Sequence, residues 1–228
     1  MTQQVSVPSL NREHFDQYGY IVLHNVIEQD MIDEIYNFWI KRDKEDFFKE
    51  VEDAPFTDVH NYNLRAREFN KLEKVHKDLM ALLRKELKMA THPTYNMGRV
   101  NKRNQIMRKH TDRLPCEISI TMPIAYSDAI WPIWVDSPGK GHKGISLEVG
   151  DILVYKGCEV VHWRDRNTFS DTTIQHYFHY VNLDTVDGIY YMELMGRHTY
   201  AQGSRLQNKI PGAISHMIRA GDLPVEVK

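Results

Sequence analysis

Cysteine is scarce in this chain: Cys116 and Cys158 are the only two in 228 residues. A chain of this length buries enough apolar surface to fold without covalent staples, so the pair reads as free thiols of a reducing cytoplasm. Long apolar runs are also missing. No stretch approaches the roughly 18 residues of a membrane span, and the opening Met-Thr-Gln-Gln-Val-Ser-Val-Pro has no basic segment followed by an apolar one, so neither a membrane span nor a secretory leader is expected. Charge of one sign is lacking too. The 29 Lys and Arg stand against 31 Asp and Glu, a net charge of -2 that offers no field for nucleic acid or an anionic membrane. There is no internal repeat, no phosphate-cradling glycine loop, no zinc-finger spacing and no Gly-x-Ser-x-Gly elbow.

What is present divides into a helical first half and a strand-rich second half. Leu10 to Tyr18 reads as a short helix stopped at Gly19, and Tyr20 to Val26 as a strand. Asp30 can cap a second helix whose Ile32, Ile35, Tyr36 and Trp39 recur at helical spacing. A third helix is expected from about Phe69 to Met89, with Phe69, Leu72, Val75, Leu79, Leu82, Leu83 and Leu87 on its buried stripe. The charged stretch Asp43 to Leu64 reads as a loop and possible lid. From Thr94 onward about eight strand-like runs follow at short intervals: Tyr95–Val100, Gln105–His110, Glu117–Pro123, Trp131–Val135, Gly144–Leu147, Ile152–Tyr155, Val160–Trp163 and Ile174–Val181. Short strands behind helices predict an α+β fold of two packed sheets or a barrel, with the N-terminal helices buttressing one face. The expected division is a helical part at 1–93, a strand core at 94–181 and a C-terminal extension at 182–228, within one structural domain.

The chemistry-bearing residues lie in the strand half. His-x-Asp occurs three times, and with 12 histidines roughly one match is expected by chance. His14-Phe15-Asp16 and His76-Lys77-Asp78 fall in expected helices, where residues i and i+2 point to nearly opposite sides. His110-Thr111-Asp112 lies at a strand end, where i and i+2 share a face. His162 follows Asp112 by fifty residues, within Gly150-Asp151-Ile152-Leu153-Val154-Tyr155 … Val160-Val161-His162-Trp163-Arg164. Two imidazoles and one carboxylate on one side of an ion, with the other side open, form the site of a mononuclear non-haem iron enzyme.

Lys109-His110-Thr111-Asp112-Arg113 … Cys116-Glu117-Ile118-Ser119-Ile120-Thr121, with Gly150-Asp151-Ile152-Leu153-Val154-Tyr155-Lys156-Gly157 … His162-Trp163-Arg164, resembles the iron(II)/2-oxoglutarate dioxygenase superfamily. Its prolyl-hydroxylase-like and phytanoyl-type branches look nearest, and Phe15-Asp16-Gln17-Tyr18-Gly19-Tyr20-Ile21-Val22-Leu23 is similar to the phytanoyl-type entry. The resemblance implies a double-stranded β-helix (jelly roll), Fe(II) on His110, Asp112 and His162, and 2-oxoglutarate chelating that iron. It implies decarboxylation of 2-oxoglutarate to succinate and hydroxylation of a C–H bond by molecular oxygen in a small-molecule or peptidyl substrate. Asp112 fills the place a halogenase keeps small, so hydroxylation is expected over halogenation.

One departure stands out. The family's Arg or Lys for the far carboxylate of 2-oxoglutarate should follow the second histidine, where this chain has Asp171-Thr172-Thr173-Ile174-Gln175. A buried carboxylate still needs a partner. Arg164 shares the face of His162 if the strand continues, though it could equally form a surface salt bridge with Asp165 or Glu159. Arg99 is the second candidate, and Thr173, Gln175 and Tyr95 are further hydrogen-bond donors. The basic stretch Arg99 to Arg113 is either a solvated strand edge or a rim attracting an anion. Glu117, Ser119 and Thr121 share one strand face, lining a polar cavity or facing solvent. His176 and His179 face opposite sides of one strand and read as packed or surface residues. Two further readings compete: a two-histidine, one-carboxylate iron enzyme that does not use 2-oxoglutarate, and a metal-free β-helix that binds a ligand in its cavity.

Overall fold

The computed structural model describes residues 10–44, 60–62 and 70–192. Helix α1 (Leu10–Tyr18) buries Phe15 and ends where expected. Gly19 takes φ 75°, and its N–H returns to Phe15 O at 2.8 Å, a left-handed C-terminal cap that glycine adopts without steric cost. Strand β1 (Tyr20–Leu23) follows. It stops short of the expected Val26 because Asn25 turns to φ 51° and Val26 N–H donates to Gly150 O at 2.8 Å. Helix α2 (Gln29–Lys44) buries Ile32, Ile35 and Trp39 of its expected stripe but leaves Tyr36 exposed, and helix α3 (Asn70–Leu87) buries Leu72, Val75, Leu79, Leu83 and Leu87, with Leu82 half-buried and Phe69 outside the described residues.

Nine more strands follow: β2 (His60–Tyr62), β3 (Thr91–Lys102), β4 (Met107–His110), β5 (Ile118–Tyr126), β6 (Ile133–Ser137), β7 (Gly141–Ile145), β8 (Ile152–Lys156), β9 (Val161–Arg164) and β10 (Thr172–Asn182). They form a six-stranded sheet in the order β1-β8-β5-β10-β3-β2 and a four-stranded sheet in the order β4-β9-β6-β7. Every pairing is antiparallel. From β3 to β10 the chain passes between the sheets so that β3, β5, β8 and β10 share one and β4, β6, β7 and β9 the other. This is a jelly roll, and with the helices on the larger sheet the class is α+β, as expected.

The stretch read as a loop from Asp43 to Leu64 is helical through Lys44 and contributes β2, which pairs with β3; the rest of that loop reading lies outside the described residues. The expected C-terminal extension is helical at 186–192, and the rest of it lies outside the described residues. Gly188 packs so closely on the Asn182 backbone that a Cβ there would lie 2.0 Å from Asn182 O.

Alternation on the larger sheet sets the site. Ile118, Ile120, Met122 and Ile124 of β5, with Ile174, Phe178 and Tyr180 of β10, join the helix stripes in the main core. The opposite faces of those strands carry Ser119 and Thr121, and Thr173, Gln175, Tyr177 and His179, all buried. A second apolar cluster between the sheets contains Met107, Ile133, Val135, Leu153 and Tyr155. The interior of the roll is therefore part oil and part polar, and the polar part surrounds the His-x-Asp segment.

Candidate metal centre

Strand pairing brings the three sequence-predicted ligands together. His110 on β4 lies opposite His162 on β9 in register, and the two rings stand 4.3 Å apart between centroids. Asp112, two residues past His110, is pinned by its own N–H, which donates to Gly157 O at 2.7 Å. Its Oδ1 lies 3.7 Å from His110 Nε2 and 3.6 Å from His162 Nε2. Both separations are shorter than two metal–ligand bonds of about 2.1 Å laid end to end, so one ion between them reaches each pair.

The remaining polar atoms of these residues are already engaged. Nδ1 of His110 lies 2.8 Å from Arg108 O, and Nδ1 of His162 lies 3.0 Å from Val160 O. Each Nδ1 therefore carries the proton and donates it, leaving the Nε2 lone pairs facing Asp112. Burial pushes the pKa of His162 below its ordinary value, against the opposing pull of Asp112, which keeps this imidazole neutral at neutral pH. Tyr155 packs on its ring at 4.6 Å.

Asp112 is held from behind. Ser119 Oγ donates to its Oδ2 at 2.7 Å and lies 3.0 Å from His179 Nδ1. A carboxylate only accepts, so Ser119 gives its single proton to Oδ2 and accepts from His179 Nδ1–H. Burial holds the His179 pKa down to about 4, so this histidine stays neutral with one N–H to give. Gly157 is the counterpart on the other side: a Cβ there would meet Cys116 O at 2.1 Å, Asp112 Oδ2 at 2.6 Å and Ser119 Oγ at 2.9 Å. Asp112, Cys116 and His179 form a second close group of metal-ligating residue types. Its thiol is ill suited to ligation, because burial raises the Cys116 pKa and Tyr95 Oη stands 3.0 Å from its sulfur.

A cavity of about 440 Å³ opens on the triad. Besides His110, Asp112 and His162 it is lined by Tyr95, Met97 and Arg99 of β3, by Tyr177 and His179 of β10, and by Met107 and Tyr155. Arg99 stacks over the Tyr177 ring at 5.4 Å. Arg113 donates to Tyr95 Oη at 3.3 Å, and Lys109 Nζ lies 4.1 Å above Trp163, so part of the basic stretch packs on aromatic rings around the site.

Arg164 does not form the surface salt bridge with Asp165 or Glu159 that sequence allowed. It is 2% exposed, and its face is that of His162, inside the roll. It donates to Trp131 O, and at 3.3 Å to Gln175 Oε1, with its guanidinium 5.2 Å from the Trp131 ring. Its neighbour in register is Met107, a residue of the cavity wall. Buried side-chain atoms lacking a hydrogen-bond partner include Arg164 Nε, Arg99 Nε, Thr121 Oγ1, Thr173 Oγ1 and Gln175 Nε2. All five belong to inward-facing positions of β3, β5, β9 and β10.

Sequence reasoning left Ser119 undecided and set His179 aside. The pairing Ser119↔His179 between β5 and β10 decides both, because it places them side by side behind Asp112. Gly157 stood within the family-like motif, but its reason, the close approach of Asp112, is visible only in three dimensions. His176 does face away, toward Asn96 and Trp39.

No family model and no curated protein matches the sequence. Solved structures do. A prolyl-4-hydroxylase from Pseudomonas putida aligns at a TM-score of 0.60 and 11% identity, over 73% of this chain and 95% of its own. HygX from Streptomyces hygroscopicus, solved with nickel and 2-oxoglutarate bound, aligns at 0.61 and 11%, over 77% and 88%. The non-haem α-ketoglutarate-dependent epimerase SnoN from nogalamycin biosynthesis aligns at 0.63 and 9%, over 75% and 79%. Among the described residues no helix is long and apolar enough to cross a membrane. The chain has the jelly-roll fold of the iron- and 2-oxoglutarate-dependent oxygenases.

Proposed function

We propose that this protein is an Fe(II)- and 2-oxoglutarate-dependent oxygenase that hydroxylates a small-molecule or peptidyl substrate. The observation that carries the reading is the disposition of lone pairs. Nε2 of His110, Nε2 of His162 and Oδ1 of Asp112 converge while every other polar atom of those side chains is hydrogen-bonded elsewhere. Such a two-histidine, one-carboxylate set leaves open positions for a bidentate co-substrate and for oxygen. Iron with 2-oxoglutarate supplies oxidation of a C–H bond by molecular oxygen, releasing succinate and carbon dioxide.

The residues present fit the co-substrate as well as the metal. Arg164 is a buried cation with no carboxylate partner among the described residues. An uncompensated buried charge is costly unless an anion joins it, and the far carboxylate of 2-oxoglutarate is that anion. Thr173 and Gln175, on the strand where the family carries its base, hold buried atoms without partners and complete the carboxylate's hydrogen bonds. Tyr95 lines the same cavity. Asp112 keeps the third ligand position filled, which favours hydroxylation over halogenation. Cys116 and Cys158, which form no disulfide, suit a reducing cytoplasm.

The test is spectroscopic. Fe(II) and then 2-oxoglutarate are added anaerobically to the full chain, and a weak visible charge-transfer band is expected. His110→Ala and His162→Ala should lose it. Arg164→Met should raise the 2-oxoglutarate needed about 100-fold, the loss of roughly 3 kcal/mol expected when one partner of a buried ion pair is removed. Iron binding with no band at any 2-oxoglutarate concentration would instead favour an iron enzyme that engages its substrate directly, a reading that draws on the missing base at 171–175.

A further inference from the structure

We propose that Arg99 binds an anionic oxygen group, a carboxylate or a phosphate, on the molecule to be oxidised. The inference rests on the oxygenase reading above and adds the substrate class. Three guanidinium groups border the interior of the roll: Arg113 is engaged with Tyr95 Oη, whereas Arg99 and Arg164 have no carboxylate partner among the described residues. 2-Oxoglutarate brings two carboxylates, of which one chelates the metal and the other pairs with Arg164. A second cation is then left over in the cavity.

Arg99 has the position and chemistry for that role. Tyr95, Met97 and Arg99 alternate along the inward face of β3, and all three line the cavity that holds the triad. Arg164 sits behind that wall, whereas Arg99 is part of it and only partly buried. Its guanidinium rests on the Tyr177 ring at 5.4 Å, which fixes its plane without neutralising it. Its Nε is buried without a hydrogen-bond partner. The next inward residue on β3, Asn101, also has a buried Nδ2 with no partner. A planar fork of donors beside an aromatic face and a methionine suits a ligand with an oxyanion at one end and an apolar body at the other. At about 440 Å³ the cavity lies in the range of small-molecule sites, about 300–1,000 Å³.

Calorimetry on the full chain loaded anaerobically with Fe(II) and 2-oxoglutarate tests this, using N-acetylglycine, methylphosphonate and neutral N-acetylglycinamide as probes. The wild type should bind one of the two anions at least tenfold more tightly than the amide. Which anion wins distinguishes a carboxylate-bearing substrate from a phosphorylated one. Arg99→Met should abolish the preference, Arg99→Lys should keep part of it, and both should show the 2-oxoglutarate band with a midpoint within twofold of wild type. Thermal unfolding checks that the variants fold, with Arg99→Gln as the replacement should the Met variant fail. An anion preference that survives in Arg99→Met, or none in the wild type, overturns the proposal. So does loss of the 2-oxoglutarate band in Arg99→Met with its retention in Arg164→Met, which would make Arg99 the co-substrate's partner. If the wild type gives no band at all, the oxygenase reading fails separately. The same titrations on metal-free protein then decide whether Arg99 holds an anion.

Discussion

At the scale of single residues, the site depends on side chains that would never touch an ion. Ser119 fixes which oxygen of Asp112 faces the histidines, and His179 fixes Ser119. Hydrogen-bond partners of ligands commonly matter about 10–100-fold in metal affinity. Ser119→Ala should therefore weaken Fe(II) or Ni(II) binding by about tenfold while leaving the fold intact, as read by competition with a chromophoric chelator. Gly157→Ala should do more harm. Its added methyl meets the Cys116 carbonyl, a backbone atom that cannot swing aside, as well as the Asp112 carboxylate. Metal affinity should fall by well over tenfold and the melting temperature should drop with it; a metal affinity equal to wild type would show that the Asp112 turn yields more readily than its packing suggests.

At the scale of elements, the helices were legible because amphipathic spacing is a local property. The stop at Gly19 and five residues of the α3 stripe, Leu72, Val75, Leu79, Leu83 and Leu87, appear in the structure as read. Strand cores were legible for the same reason, and their ends were not. Where β1 ends is decided by Gly150, more than a hundred residues away in sequence, and β2 exists because β3 offers it an edge. Of the site, His110, Asp112 and His162 could be singled out, since a strand end and a His-x-Asp pattern are both local. The partners Ser119 and His179 could not, because β5 and β10 meet only through sheet pairing. The contact between α2 and the sheet is equally non-local: a Cβ on Gly98 of β3 would lie 2.1 Å from the Trp39 ring. Trp39→Ala should cost about 3–5 kcal/mol, as large-to-small changes at buried aromatics do, measured by urea unfolding. Gly98→Ala should be severe alone and much milder in the Trp39→Ala background, a non-additivity that a double-mutant cycle would expose.

At the scale of the whole molecule, buried histidines tie stability to pH. Burial depresses His76 to about 4 and His176 to about 3. Both sit between the helices and the larger sheet, away from the triad. Unfolded, each would titrate near 6.5. Between that value and about 4 the unfolded chain binds more protons than the folded one, so stability rises with pH across this window and is lost as pH falls through it. His179, which burial also holds at about 4, makes a third such group, and together the three give a slope approaching about 4 kcal/mol per pH unit. Denaturation of metal-free protein at a series of pH values from 7.5 down to 4.5 should show this acid limb. His176→Phe should flatten it by about a third; an unchanged limb would mean that other groups govern acid unfolding.

The stacked indoles beside the site have a practical consequence. Trp163 adjoins His162 in sequence and lies nearly parallel to Trp134 at 6.0 Å, with Lys109 Nζ 4.1 Å from its ring. The protein thus carries an intrinsic fluorophore one residue from a proposed metal ligand, while Trp39 lies apart beneath the larger sheet. A paramagnetic ion entering between the histidines should quench the emission of the Trp134–Trp163 pair and spare that of Trp39. Occupancy could then be followed in unlabelled protein, in real time, and before any substrate is known.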